Sequence, residues 1–187
     1  MGLTVKERGR HVATFRFVEV RLMEILSGWV PSTPEMEAKL LLGPHIWDTA
    51  QAADALGKRT YELRLPLQHS LAPAAPYLNV LETLAAVDTA PRRIAAFYDA
   101  LLPGLMSRYR GYLERTDALM DAPTVRIMER ILDTDARMIR EANALRAELP
   151  ALRCDDPDWL DGMVALESAV AELAAADPSS EGTRQAA

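Results

Sequence analysis

The chain has 187 residues, of which 49% are hydrophobic and 26% charged, and its formal net charge is −6. That is the make-up of one globular domain with a sizeable core, and the acidic balance excludes the basic clustering that nucleic acid or an anionic membrane surface would require. No apolar run approaches the ~18–20 residues needed to cross a bilayer, and a single cysteine, Cys154, excludes an internal disulfide framework and is expected to be a half-buried structural thiol.

Taken in chain order, the pattern is helical throughout, with 3.6-residue stripes and no alternating runs. The start, "MGLTVKERGRHV", carries charges where a signal peptide has its apolar segment, and Lys6 breaks the myristoylation pattern, so a cytoplasmic protein is expected. The first helix is predicted over about residues 4–29. Its stripe is Val12, Phe15, Glu19, Leu22, Leu26 and Val30, apolar except for Glu19. "VPSTPEMEA" then stops and restarts the chain, with Ser32 and Glu35 placed as a capping box and Pro34 in the first turn. The second helix is expected to reach about Leu63, kinked or broken at Gly43-Pro44. Its stripe after the break is His45, Asp48, Ala52 and Ala55, with Gln51 alongside.

A proline-rich crossover, "LPLQHSLAPAAP", follows, and then a short helix over about residues 77–87. His69 is expected to lie on the crossover surface, as His11 does on the first helix. The role of Glu82 on the short helix is left open. Asp88 or Thr89 caps a third long helix, with Pro91 near its first turn, running to about Met120 and bent near Pro103-Gly104. Its stripe is Ile94, Tyr98, Leu101, Leu105, Tyr109 and Tyr112, read as core with wetted tyrosine hydroxyls. The fourth long helix starts with Asp121 as cap and Pro123 in its first turn and ends near Leu149-Pro150. Its inward residues are Met128, Ile131, Asp135, Met138 and Ala142. A last helix from Asp156-Pro157 carries Trp159, Met163, Leu166, Val170 and Leu173. Residues 176–187 read as a disordered polar tail, so residues 1–175 form the single domain.

Four long helices with a long connection between the second and third predict an all-α antiparallel bundle with one crossover and additional short and C-terminal helices. Two local patterns, "LLLGPHIWDTAQAADAL" and "DAPTVRIMERILDTDARMI", resemble the second and fourth bundle helices of the ferritin-like superfamily, in particular bacterial ferritin-like proteins. The resemblance covers about residues 12–64 and 90–145. It implies a core in which a Glu from each of two helices and a Glu-x-x-His from each of the other two hold two metal ions, iron or manganese. Glu19 matches the first-helix Glu, with Glu24 a less inward alternative. Asp48-Thr-Ala-Gln51 and Asp135-Ala-Arg-Met138 stand where the two Glu-x-x-His pairs belong. Both acids are shortened, both histidines are gone, and the third helix offers tyrosines instead of a carboxylate. A thioether is a poor ligand for hard iron(II) or manganese(II).

The sequence therefore predicts a degenerate dimetal site. Three inward acids, Glu19, Asp48 and Asp135, and His45 one turn before Asp48, are the candidate catalytic groups; Tyr98, Tyr109, Gln51 and Met138 are the candidate substrate-binding groups. Glu19 is either capped by an Arg or Tyr inside the core or a working acid. Three functions are consistent with this set. The first is a small-molecule enzyme or binding protein that reuses the bundle core, with no metal favoured. The second is an atypical mono-iron oxygenase or oxidase holding its metal on Glu19, His45, Asp48 and Asp135. The third is a non-catalytic partner, either a homodimer contacting through the Trp159–Leu173 stripe or a companion of a related ferritin-like subunit.

Overall fold

Thr4 and Glu7 open the first helix with a reciprocal cap. The Glu7 N–H donates to Thr4 Oγ1 at 3.3 Å and the Thr4 N–H to Glu7 Oε2 at 2.7 Å. In the computed structural model, which describes residues 2–175, α1 then runs over Val5–Ser32 and α2 over Met36–Glu62. The predicted capping box is not formed. Ser32 is the last residue of α1, its hydroxyl donates to the Trp29 carbonyl at 3.2 Å, and Glu35 makes no side-chain cap. Helix α1 continues past Pro31 because its end is satisfied from outside: Thr33 Oγ1 (2.8 Å) and Arg93 Nη1 (3.3 Å) donate to that same carbonyl.

Nor does α2 break at Pro44. Proline removes the N–H that would meet the Leu40 carbonyl four residues back. Leu40, Gly43 and Pro44 all lie on the exposed side, where water can take that carbonyl. The buried face of α2 is His45, Thr49, Ala52, Ala53 and Leu56. It is rotated from the expected stripe, so Asp48 and Ala55 fall on its flank.

The crossover turns at Arg64 and Gln68, both at positive φ, and leads to α3, Ala75–Ala85. The third long helix is one continuous run of three parts: α4 (Ala90–Ala95), a π-helical stretch (Ala96–Leu101) and α5 (Leu102–Arg115). The irregularity precedes Pro103 instead of centring on it. The Leu102 N–H bonds the Phe97 carbonyl five residues back, and the widened turn gives the proline ring room against the preceding carbonyls. Helix α6 spans Ala122–Glu148 and α7 spans Pro157–Ser168. The tail predicted for residues 176–187 lies outside the described residues. Among those described, the regular elements are all helical apart from one isolated bridge between Pro73 and Ala174.

Helix α1 packs along α2, α2 against α6, and α6 against α5. Aromatic side chains close the ring back onto α1. Phe15 meets Tyr109 edge-on at 4.9 Å between centroids and Tyr112 at 5.5 Å. The inward stripes of the first, third and fourth long helices are buried as their periodicity predicts, from Val12 to Leu26, Ile94 to Tyr112 and Met128 to Ala142.

The last stripe, expected as a possible partner contact, is largely used internally. Met163, Val170 and Leu173 are buried, while Trp159 and Leu166 pack partly against the same core. Helix α7 stops at Ser168, earlier than expected, because Arg108 collects the Glu167 and Val170 carbonyls (2.7 and 2.5 Å) and pairs with the buried Glu167 carboxylate. That carboxylate lies where a Cβ on Gly104 would sit. Gly104→Ala is therefore expected to push Glu167 off Arg108 and cost roughly 1–3 kcal/mol in urea unfolding. Gly111→Ala, facing open space, is the control. Equal stability of the two variants would show that the glycine contact does not matter.

Candidate functional site

The long helices bring several polar residues inward among apolar neighbours, among them Glu19, Tyr109 and Asp135. Glu19 of α1 is 4% exposed, and its Oε1 accepts the Tyr109 hydroxyl at 2.5 Å. Burial pushes the Glu19 carboxyl up to about 7, against the opposing pull of that hydrogen bond. Asp135 of α6 is 5% exposed, and its Oδ2 is buried with no hydrogen-bond partner. Burial, and then the Glu19 charge, hold its carboxyl well above the usual range, while Arg110 works the other way. Tyr109 is raised in turn by burial and by Glu19, so it stays a neutral donor. Both buried carboxyls hold their protons to higher pH than an exposed carboxyl does, Glu19 to about 7.

Above Asp135 is a cavity of about 330 Å³ between α2 and α6. Its walls include Gln51, Ala52, Ile131 and Met138, with Asp48, Thr134 and Arg130 completing the lining. On the α2 side the lining is Asp48, Gln51 and the small Ala52; on the α6 side it is the other five residues.

The other candidates separate from this group. Asp48, expected inward, is a quarter exposed and ion-paired with Arg137 Nη2 at 2.7 Å, which follows from the rotation of α2. His45 is fully buried, but it turns toward α6 and the π-helical stretch. Its Nε2 lies 2.7 Å from Glu141 Oε2 and its Nδ1 lies 2.6 Å from the Tyr98 hydroxyl. A carboxylate only accepts, so Nε2 carries the proton and Nδ1 accepts from Tyr98. Burial lowers the His45 pKa despite the opposing Glu141 hydrogen bond, which keeps the ring neutral at pH 7. Tyr98 is thus the partner of His45, not a wall of the cavity. Arg137 joins the two groups at their edges, holding Glu141 at 3.0 Å as well as Asp48.

The tyrosine hydroxyls expected to be wetted are instead spent inside. Tyr98 meets His45, Tyr109 meets Glu19, and Tyr112 donates to Asp121 Oδ2 at 2.6 Å. His11 is half-buried against Phe15 and Tyr112, not a surface residue. His69 lies half-buried in the crossover, and Glu82 is exposed. Cys154 is a half-buried free thiol, as expected. Glu24 faces solvent and pairs with Arg21.

Iron or manganese does not fit the four-residue set that the sequence offered. Among the described residues no three His, Cys, Asp or Glu side chains gather where they could hold a metal ion. Both ring nitrogens of His45 are engaged, Asp48 is held by Arg137, and Glu19 accepts from Tyr109. Among the described residues no helix is long and apolar enough to cross a membrane.

Sequence reasoning missed Glu141, Arg137 and Tyr77. Tyr77 of α3 is fully buried, its hydroxyl has no partner, and its ionisation is opposed by burial and by the charges of Glu167 and Glu19. The only sequence signal for Tyr77 was its place at the start of an apolar helix. Compared with known proteins, the chain matches no family model, no curated protein and no solved structure.

Proposed function

We propose that this chain is a ferritin-like bundle whose dimetal positions have been given over to a small-molecule site in the core, used for acid–base chemistry or for binding. One observation carries the reading: Asp135, a buried acid whose Oδ2 has no hydrogen-bond partner, lines a cavity of about 330 Å³. A buried polar atom without a partner costs on the order of 1–3 kcal/mol, and a ligand that satisfied it would recover that cost. The mixed lining supports the same view, because sites of this kind combine apolar walls with a few convergent polar groups. Asp135 is the proton donor or acceptor at the ligand, with Glu19 as its partner acid. Tyr109 orients Glu19. Gln51 offers an amide at the wall, and Met138 an adaptable apolar surface. His45 and Tyr98 brace the neighbouring part of the bundle and are not assigned to the ligand. The ferritin-like assignment rests on the two sequence patterns and on the inward placement of Glu19, Asp135 and Met138.

The test uses the methyl resonance of Met138. Charged and uncharged fragments of a few heavy atoms, titrated into the protein, are expected to shift that signal. Gln51→Trp, which plugs the cavity from its wall, is expected to abolish the shifts while leaving the fold's other methyl signals in place. A fragment set that never moves Met138 sinks the reading.

A further inference from the structure

Hydrogen-bonding groups on both walls of the cavity between α2 and α6 are left without partners inside the protein. Asp135 Oδ2 is buried and unpaired. The Gln51 carboxamide and the Thr134 hydroxyl, both half-buried, bond to no other group among the described residues. The pairs on either side fix how these groups stand. Helices α2 and α6 run antiparallel: His45 meets Glu141, Asp48 meets Arg137, and Arg59 Nε donates to Thr124 Oγ1 at 2.8 Å. Counting inward from those pairs along the two helices places Gln51 opposite Thr134 and Asp135. The acid and the amide therefore line one cavity from opposing walls, and they do not bond each other. The gap between them is one that a hydrogen-bonding group of a ligand can bridge.

Charge narrows the kind of group. Asp48, near one end of the cavity, is held by Arg137, and Arg130, at the other end of the α6 stretch, is exposed. Between them lie the apolar Ala52, Ile131 and Met138 and the Asp135 carboxyl, which burial holds toward its neutral form. An ion seated there would give up its water with no countercharge in place. A neutral carboxyl and a carboxamide each present a donor and an acceptor, so the complementary ligand group is neutral and presents both as well.

We propose that the cavity takes a neutral primary amide on a short alkyl chain, its carboxamide bridging Asp135 and Gln51 and its chain lying along Ile131 and Met138. The assignment rests on the small-molecule reading above and names its ligand class. The amide satisfies Asp135 Oδ2 whichever oxygen of the carboxyl carries the proton. A protonated Oδ2 donates to the amide carbonyl, and a bare Oδ2 accepts an amide N–H. The other end of the amide meets Gln51 across the gap. An alcohol carries its donor and acceptor on one oxygen, whereas an amide carries them on two separate atoms and spans the walls. No charge is buried in the complex, and no proton has to be exchanged with solvent.

The test titrates pentanamide, n-pentanol, pentanoate and n-pentylammonium into the full-length protein at pH 6, with the Met138 methyl signal as the site reporter. Pentanamide is expected to bind roughly fivefold or more tightly than the alcohol, the effect of one further hydrogen bond. The two ions are expected to leave the signal in place. Asp135→Asn keeps the volume, a donor and an acceptor but cannot ionise, and is expected to bind pentanamide within about threefold of wild type. Asp135→Leu and Gln51→Leu each remove one side of the bridge and are expected to weaken pentanamide by roughly fivefold or more, with the methyl signals elsewhere in the core unchanged. If the alcohol binds as tightly as the amide, or either ion binds more tightly, the amide assignment is wrong while the small-molecule reading stands. Loss of pentanamide binding in Asp135→Asn would likewise overturn it, because a charged carboxylate would then be what holds the ligand. If none of the four probes moves Met138, both readings fall.

Discussion

Asp121→Ala is expected to remove roughly 3–5 kcal/mol of folding stability, the usual cost of breaking a buried ion pair from one side. Asp121 is fully buried and accepts four side-chain hydrogen bonds: Arg59 Nη2 (2.9 Å) and Thr124 Oγ1 (2.6 Å) on Oδ1, Tyr112 (2.6 Å) and Thr116 (2.8 Å) on Oδ2. It thereby ties α2, the end of α5 and the start of α6 together. Burial alone would raise its pKa, but the Thr124, Tyr112, Thr116 and Arg59 hydrogen bonds outweigh burial and hold it below the ordinary value. Alanine leaves the Arg59 charge, nine-tenths buried, without that partner, and takes the acceptor from three hydroxyls as well. Given a typical total of about 5–15 kcal/mol, much of the chain's stability is at stake. Urea unfolding at pH 7 measures it. Because the folded-state pKa is depressed, the contribution is full above the unfolded pKa and is lost as pH falls through the folded one, so the gap between wild type and variant closes in acid below about pH 4. A variant within 1 kcal/mol of wild type at pH 7 would mean that the four bonds exchange with water at no net cost.

Asp121 also marks the limit of what the sequence could show. Its position before Ala122-Pro123 reads correctly as the start of a helix, yet it makes no side-chain cap. Thr116 and Thr124 are local partners, but Arg59 lies 62 positions away, and no local pattern identifies it. The same division holds in the core. Periodicity alone placed Glu19, Asp135, Met138 and the tyrosines inward, since a 3.6-residue stripe is a local property. Their partners are tertiary: Tyr109 and Glu19 are 90 residues apart, and Tyr98 and His45 are 53 apart. On α2 the stripe itself was ambiguous. From His45, both Asp48 and Thr49 lie one turn on, and charge drew attention to Asp48. The structure buries Thr49 instead, with its hydroxyl satisfied by the His45 carbonyl at 2.8 Å. That quarter-turn puts Asp48 on the flank of α2, where Arg137 pairs with it, and Ala52 joins it in the cavity lining. Glu141 was missed because it sits beside the Asp135–Met138–Ala142 stripe, not on it, and reaches His45 by the length of its side chain.

The two buried acids Glu19 and Asp135 predict a pH dependence opposite in sign to that of Asp121. Glu19 is pushed up to about 7, chiefly by burial. Between the ordinary carboxyl pKa and about 7, the folded protein keeps a proton that the unfolded chain has released. Stability from this group therefore falls as pH rises through that window and is constant below it. Asp135 is raised by burial and by Glu19, so it extends the loss upward. Wild type is expected to lose roughly 3 kcal/mol from Glu19 alone between pH 4.5 and pH 8. Glu19→Gln removes the ionisation but keeps an Oε1 that can accept from Tyr109. It is expected to be close to wild type at pH 5 and more stable than wild type at pH 8 by about 2–3 kcal/mol. His45 and His11, both lowered chiefly by burial, push stability the other way as pH rises, since the folded state resists their protonation. They act alike in both proteins and cancel in the difference. Urea midpoints at pH 5, 6, 7 and 8 for the two proteins give that difference directly. A constant offset across the range would mean that Glu19 ionises in the folded state as it does in the open chain. The core would then hold an already charged acid, and the neutral carboxyl on which a proton-linked site at Asp135 depends would be missing.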